Sequence, residues 1–111
     1  MKTTYRQMIE ATEGLGRLLD KQLPAAQAIA LARLVKKMNA ELDLFQEQRR
    51  KIMSVQSDDR TAERIDSTMR MEELLAVEVD IDSDRVELTL DKIDAGTILA
   101  TEPFVIIHSE S

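Results

Sequence analysis

The residues best suited to bind a ligand are three aspartates at alternate positions, Asp80, Asp82 and Asp84. Together with Asp91 they have the spacing of the oxygen ligands in a twelve-residue calcium-binding loop. Such a loop needs Gly at its sixth position, where this chain has Arg85, and it prefers Glu at its twelfth, where the chain has Asp. The residues after Arg85 alternate between apolar and polar, as in a strand. The segment therefore favours an acidic hairpin turn over a calcium site.

Catalytic chemistry has little support in the sequence. The single histidine, His108, stands three residues before the last residue of the chain, where we expect fraying. Histidine-dependent catalysis would need that ring to be held by a third group. The chain has no cysteine and only three glycines, so it contains neither a thiolate site nor a Gly-rich phosphate loop. We expect no enzyme activity, no cofactor, no metal and no small-molecule substrate.

The net charge of −6 conceals an asymmetry between the two halves of the chain. Residues 1–57 carry ten Lys and Arg against six Asp and Glu, whereas residues 58–111 carry five against fifteen. The net charges are therefore +4 and −10, which predicts attraction between the halves, within one chain or between copies. Two solvated faces are the alternative. The acidic total and the 3 % aromatic content argue against direct nucleic-acid binding.

Membrane association is not expected either. No apolar run approaches the roughly 20 residues that span a bilayer, and Met1–Thr12 lacks the apolar core of a signal peptide. A soluble intracellular protein is the expectation from these patterns.

The elements that must position these residues begin with a helical hairpin. Thr4 and Gln7 form a capping box for a helix over about 5–20. A connector over 20–23 leads to Pro24, which is suited to the first position of a helix. From there apolar residues recur in steps of three and four up to Met53, which predicts one long helix of roughly 45 Å. The short connector predicts that the two helices pack antiparallel.

The second helix is nearly twice as long as the first, so its last three turns are predicted to be uncovered. Phe45, Ile52 and Met53 therefore need another partner, which either the C-terminal half or a second molecule supplies. Arg49 interrupts the apolar series, and a polar residue at such a position typically fixes register or partner number.

The C-terminal half is predicted to be mixed. A third helix is expected over about 62–76, after a loop over 54–60. Two alternating segments, Val77–Ile81 and Val86–Leu90, predict a small β-hairpin. Thr97 is the predicted cap of a short helical turn, and the apolar segment that begins at Phe104 is expected to anchor the chain. The fold class is thus α+β within one domain over 1–111, with a helical hairpin in 1–57 and an acidic helix, β-hairpin and anchor in 58–111.

Two stretches of the chain resemble a family of small proteins encoded by tailed bacteriophages. One is Leu18–Pro24, running into the helix that ends in Phe45–Ile52, and the other is Ile98–Ile106. The family pattern combines a short helix, a Lys-x-Leu-Pro turn, a long helix that closes near Phe-x-x-x-Arg, an alternating acidic segment and a terminal Leu-Glu-Pro-Phe. Here Thr101 replaces the Leu of that last motif. The resemblance implies a phage origin, with the host cytoplasm or the virion as location, but no activity.

These observations predict a non-enzymatic protein that acts through protein–protein interaction, in virion structure or assembly, as a homo-oligomer. The alternative is an inhibitor that places its acidic half in the nucleic-acid or defence site of a host protein. The residues expected at a partner interface are Phe45, Arg49, Ile52, Met53, Glu78, Asp80 and Phe104.

Overall fold

The computed structural model describes residues 1–53, 61–90 and 93–108, with only the backbone of 61–66. Its elements, in chain order, are β1 (Lys2–Thr4), α1 (Tyr5–Leu19), α2 (Ala25–Met53), α3 (Thr61–Leu75), β2 (Glu78–Asp80), β3 (Val86–Thr89), α4 (Ala95–Thr101) and β4 (Val105–His108). The predicted α+β class is confirmed. The predicted loop over 54–60, the predicted turn residues 91 and 92, and the predicted frayed residues 109–111 lie outside the described residues.

The helical hairpin of α1 and α2 is present as predicted. The side chain of Thr4 accepts from the backbone N–H of Gln7, whose own side chain accepts from the Thr4 N–H, so the capping box is complete. One face of α1 is buried at spacings of three and four: Tyr5, Met8, Ala11, Gly14, Leu15 and Leu18. The connector is one residue longer than expected, because α2 begins at Ala25 and the Pro24 carbonyl accepts its first helical hydrogen bond, from Ala28.

The two alternating segments are strands, but they do not pair with each other. β2 pairs antiparallel with β1, so that Val79 lies opposite Thr3. β3 pairs parallel with β4, so that Val86 lies opposite Val105. The predicted C-terminal β-hairpin is therefore wrong in its pairing, although the alternation itself holds: Val79, Val86 and Leu88 are buried, and the acidic residues between them are exposed. Each strand finds its partner near one end of the chain.

The short helix α4 begins earlier than predicted, because its cap is Asp94 rather than Thr97. The Asp94 carboxylate accepts from both the backbone N–H and the hydroxyl of Thr97, at 3.1 and 2.7 Å. These hydrogen bonds stabilise the charged form, and they hold the pKa of Asp94 below its ordinary value.

Helix α4 packs on α1 at Gly14. A Cβ at that position would lie 2.8 Å from the Cγ2 of Thr101, a side chain that is completely buried and whose hydroxyl donates to the Thr97 carbonyl. The absence of a side chain at Gly14 therefore sets the distance between α1 and α4. Gly16 has open space around it.

The core contains residues from both predicted halves of the chain, 1–57 and 58–111. α1 contacts both α2 and α4, and Leu31, Leu34 and Met38 of α2 and Leu88 of β3 are almost fully buried with it. The described residues extend over 58 × 26 × 21 Å, and α2 is the element long enough to determine the largest dimension.

Replacing the two α1 glycines with alanine should have opposite effects. Gly14→Ala must displace Thr101, so we expect the free energy of unfolding to fall by about 1–3 kcal/mol. Gly16→Ala removes the helix penalty of glycine without a clash, so we expect a gain of up to about 1 kcal/mol. Urea denaturation of both variants measures the difference. Equal stabilisation by both substitutions would contradict the close approach of α1 and α4.

Candidate interaction site

The first predicted interface residue, Phe45, is not at the surface. Its side chain is 3 % exposed, and its ring lies 5.3 Å from that of Tyr5, which begins α1. The Tyr5 hydroxyl donates to a carboxylate oxygen of Glu41 at 3.2 Å. Burial of the phenol and the nearby Glu41 charge raise the pKa of Tyr5. The prediction that Phe45 is uncovered is therefore wrong, because α1 reaches one turn further along α2 than expected.

Beyond Phe45, α2 is accompanied by α3 instead of α1. A groove of about 520 Å³ lies between the two helices, and we call it the distal groove. Three apolar residues form its floor: Ile52, Leu74 and Val77. Four polar residues form its rim: Gln48, Lys51, Arg70 and Glu73. Arg6 of α1 donates to Glu72 of α3 at 2.7 Å, between two exposed side chains. The predicted partner for the end of α2 is thus supplied partly by the C-terminal half.

The cover that α3 provides is incomplete. Val77 is 44 % exposed and Leu44, one turn before Gln48 on the same side of α2, is 52 % exposed. Ile52 is half-buried in the distal groove, whereas Met53 is 43 % exposed on another face of α2. This partly exposed apolar surface of α2 and α3 therefore has room for a further helix to pack against it.

Arg49 is exposed and outside this groove. Its guanidinium donates to the side chain of Gln46 on its own helix, at 3.5 Å. Arg49 is thus a surface residue of α2, and it does not line the distal groove.

The acidic residues expected at an interface lie on β2, which begins directly after Val77 of the distal groove. Glu78 and Asp80 are exposed on β2. The Met1 amino group lies 3.4 Å from a carboxylate oxygen of Asp80, and it donates to the carbonyls of Ile81 and Ser83 at 2.6 and 3.0 Å. Lys37 of α2 donates to the Asp82 carbonyl. Lys37 thus links the basic surface of α2 to the acidic turn through a main-chain carbonyl rather than through a carboxylate.

Phe104, the last predicted interface residue, is completely buried. It anchors the turn between α4 and β4, and its carbonyl accepts from the Val86 N–H. Phe104 therefore confirms the predicted anchor and is not available to a partner.

The residues considered for chemistry are dispersed. His108 Nε2 lies 3.5 Å from a carboxylate oxygen of Glu87, and both side chains are mostly exposed. Within residues 1–53, 61–90 and 93–108, no cluster of three or more His, Cys, Asp or Glu side chains is arranged to hold a metal ion. Asp91, the fourth residue of the calcium-like pattern, lies outside the described residues.

Sequence reasoning missed Leu44, Leu74 and Val77 as parts of the distal site. Leu44 stands next to Phe45, and the series of three-four steps assigned only one of the two to the helix seam. Val77 is the first residue of a segment that the alternation predicts to be a strand, but β2 begins only at Glu78. The sequence did contain a signal: Leu44 and Leu74 are large apolar residues that the three-four series of their helices leaves out.

Neighbouring substitutions at Phe45 and Leu44 should differ sharply. Phe45→Ala leaves a cavity beside Tyr5, and we expect the free energy of unfolding to fall by about 3–5 kcal/mol. Leu44→Ala removes an exposed side chain, and we expect a change within about 0.5 kcal/mol. Thermal and urea unfolding of the two variants tests the assignment. A tolerated Phe45→Ala would show that this ring is not part of the core.

In the described part of the chain, no helix combines the length and apolar character needed to cross a membrane. Comparison of the chain with protein-family models, with curated proteins and with solved structures gave no match. The resemblance to small proteins of tailed bacteriophages therefore stays a prediction.

Proposed function

We propose that this protein is non-enzymatic and acts through protein–protein interaction. The proposed contact surface is the distal groove, and the proposed partner there is a second copy of the chain. The observation that carries the proposal is the half-covered apolar surface where α2 and α3 pair without α1. Leu44 and Val77 remain about half exposed there, beside the groove lined by Ile52 and Leu74.

A second copy suits this surface for a geometric reason. Two antiparallel helix pairs that face each other form a four-helix bundle, in which each pair covers the apolar side of the other. A two-fold arrangement uses the same patch on both copies, so no second complementary surface is required. The polar rim of Gln48, Lys51, Arg70 and Glu73 then surrounds an apolar centre, which is the usual organisation of a protein interface.

The biological setting of the proposal comes from the sequence resemblance. A small phage protein that self-associates through helices suits virion structure or assembly, with the host cytoplasm and then the particle as its location. The contacts proposed for it are with itself or with other phage proteins, and not with nucleic acid, membrane or a small-molecule substrate.

The acidic surface supports a second candidate function. Asp80 is largely exposed, and Glu78 and Asp82 are exposed beside it. An inhibitor of a host nucleic-acid-binding or defence protein would use this surface as a mimic of a phosphate backbone. Mass spectrometry of purified particles separates the two functions: an assembly protein is present in many copies, and an inhibitor is absent.

The self-association test uses two equally exposed residues of α2. Leu44 beside the distal groove and Ile29 near the other end of the helix are both 52 % exposed. We expect Leu44→Asp to weaken self-association by at least about tenfold, because a buried contact would have to accept a charge, and Ile29→Asp to leave it unchanged. Sedimentation equilibrium of both variants gives the association constants.

The same experiment at low and physiological salt identifies the kind of contact. Apolar association through the distal groove should persist, whereas pairing between the acidic and basic halves should weaken as salt rises. A monomer at all concentrations, or association that Leu44→Asp does not change, would contradict the proposed contact.

A further inference from the structure

The sheet of β3 and β4 has one covered edge and one open edge. Along β3, α2 packs on the outer side, and Gln27 of α2 accepts from the Thr89 N–H at 2.8 Å. The other edge belongs to β4, and within residues 1–53, 61–90 and 93–108 only β3 packs closely along that strand. An edge strand presents main-chain N–H and C=O groups with which another strand can pair.

Two residues of β4 present their main chain at this edge. The Val86 N–H donates to the Phe104 carbonyl at 3.0 Å, so that carbonyl points toward β3. Main-chain groups of successive strand residues point to opposite sides, so those of Val105 and Ile107 point away from β3. The Val105 carbonyl accepts from the side chain of Arg85 at 3.2 Å. Because a carbonyl oxygen has two lone pairs, it can accept a second hydrogen bond from an added strand.

The space beside this edge is a small pocket of about 200 Å³. Its lining residues are Val105, Ile106 and Ile107 of β4, Ile98 of α4, and Arg85 and Glu102. Consecutive strand residues point their side chains to opposite faces, so a pocket that touches three of them in a row lies along the edge. Ile98 is 40 % exposed there. The apolar side chains of an added strand can therefore pack beside β4.

Charge distinguishes β4 from the edge strand of the other sheet, β2. In the antiparallel pairing with β1, Ile81 and Met1 exchange hydrogen bonds at 2.8 and 2.6 Å, so the main-chain groups of Glu78 and Asp80 alternate to the outer edge. Two copies paired at that edge would place Glu78 opposite Asp80, and like charges opposite each other are destabilising. The sequence of β4, Val-Ile-Ile-His, contains no carboxylate, lysine or arginine. Pairing of β4 with itself therefore meets no such repulsion.

We propose that β4 pairs antiparallel with β4 of a second copy, about a two-fold axis at Ile106, and so joins two β3–β4 sheets into one. In this register Val105 of each copy lies opposite Ile107 of the other, and each such pair exchanges two main-chain hydrogen bonds. Ile106 shares the outer face of the sheet with Glu87, its neighbour on β3, and it lies opposite Ile106 of the second copy.

This contact adds a property that the distal groove alone does not have. A two-fold contact uses the same patch on both copies, so a single one closes at the dimer. The β4 edge and the distal groove share no lining residue, and two separate contacts let each copy bind two neighbours. The inference thus goes beyond the proposed function and does not depend on the distal contact.

The β4 contact should be weak by itself. It consists of a few main-chain hydrogen bonds, each worth only about 1 kcal/mol net, and one central apolar pair. We therefore expect it at millimolar concentration and not at the micromolar concentrations that suit measurements of the distal contact. In an assembly, where neighbouring copies are already held together, the effective concentration is in the range that such a contact needs.

The test is an NMR dilution series of the full ¹⁵N-labelled Leu44→Asp chain, in which the distal contact is disrupted, from millimolar to micromolar concentration. We expect the Val105 and Ile107 amide protons to shift downfield as concentration rises, because each gains a carbonyl partner, and the β2 amides to stay unchanged. Absence of a concentration-dependent shift in β4 would overturn the proposal, whatever the behaviour of the distal groove.

Substitutions at Ile106, which is half-buried, identify the two-fold axis. Ile106→Lys and Ile106→Glu in the same background should each weaken association at least about tenfold, because the new charge faces itself across the axis. An equimolar mixture of the two variants should associate again, since lysine then faces glutamate. Lys36→Glu, at an exposed position of α2, should change nothing. Unaltered association of either Ile106 variant, or a mixture that stays monomeric, would overturn the two-fold contact.

Discussion

The structure depends on a mismatch in length between two packed helices. α1 has 15 residues and α2 has 29, which correspond to about 22 and 44 Å. Antiparallel packing brings Tyr5, at the start of α1, against Phe45 of α2. Beyond Phe45, α1 no longer covers α2. Every residue of α2 beyond that point must be covered by another element or remain exposed. The polypeptide uses α3 for this purpose, and Leu44 and Met53 of α2 stay exposed beside it among the described residues.

The covered half is held together around α1. That helix packs against both α2 and α4, and Gly14 permits the approach of α4. Both small sheets join distant parts of the chain to this layer, since β1 pairs with β2 and β3 pairs with β4. The acidic and basic halves of the sequence therefore share one core, and Arg6 of the first half forms an ion pair with Glu72 of the second.

The helices could be predicted from the sequence, and the strand partners could not. A three-four period over 29 residues, the capping box at Thr4 and the residues before Pro24 specify the hairpin almost to the residue. The partner of β2 is a three-residue strand, Lys2–Thr4, which is too short to show alternation. Two alternating segments on either side of a turn favour a hairpin locally, and only the tertiary positions of the chain ends override that preference. The site prediction failed at Phe45 for a similar reason: one turn of extra cover decides whether a side chain is core or interface.

The central claim is that the half-covered end of α2 and α3 is a contact between copies. Hydrogen–deuterium exchange measured by mass spectrometry at low and high protein concentration tests it directly, because it locates the contact without a substitution. The account predicts that exchange slows with concentration in residues 44–53 and 67–77 and is unchanged in α1 and the sheets. Equal exchange at both concentrations, or slowing confined to β2 and the acidic turn after it, would contradict the account.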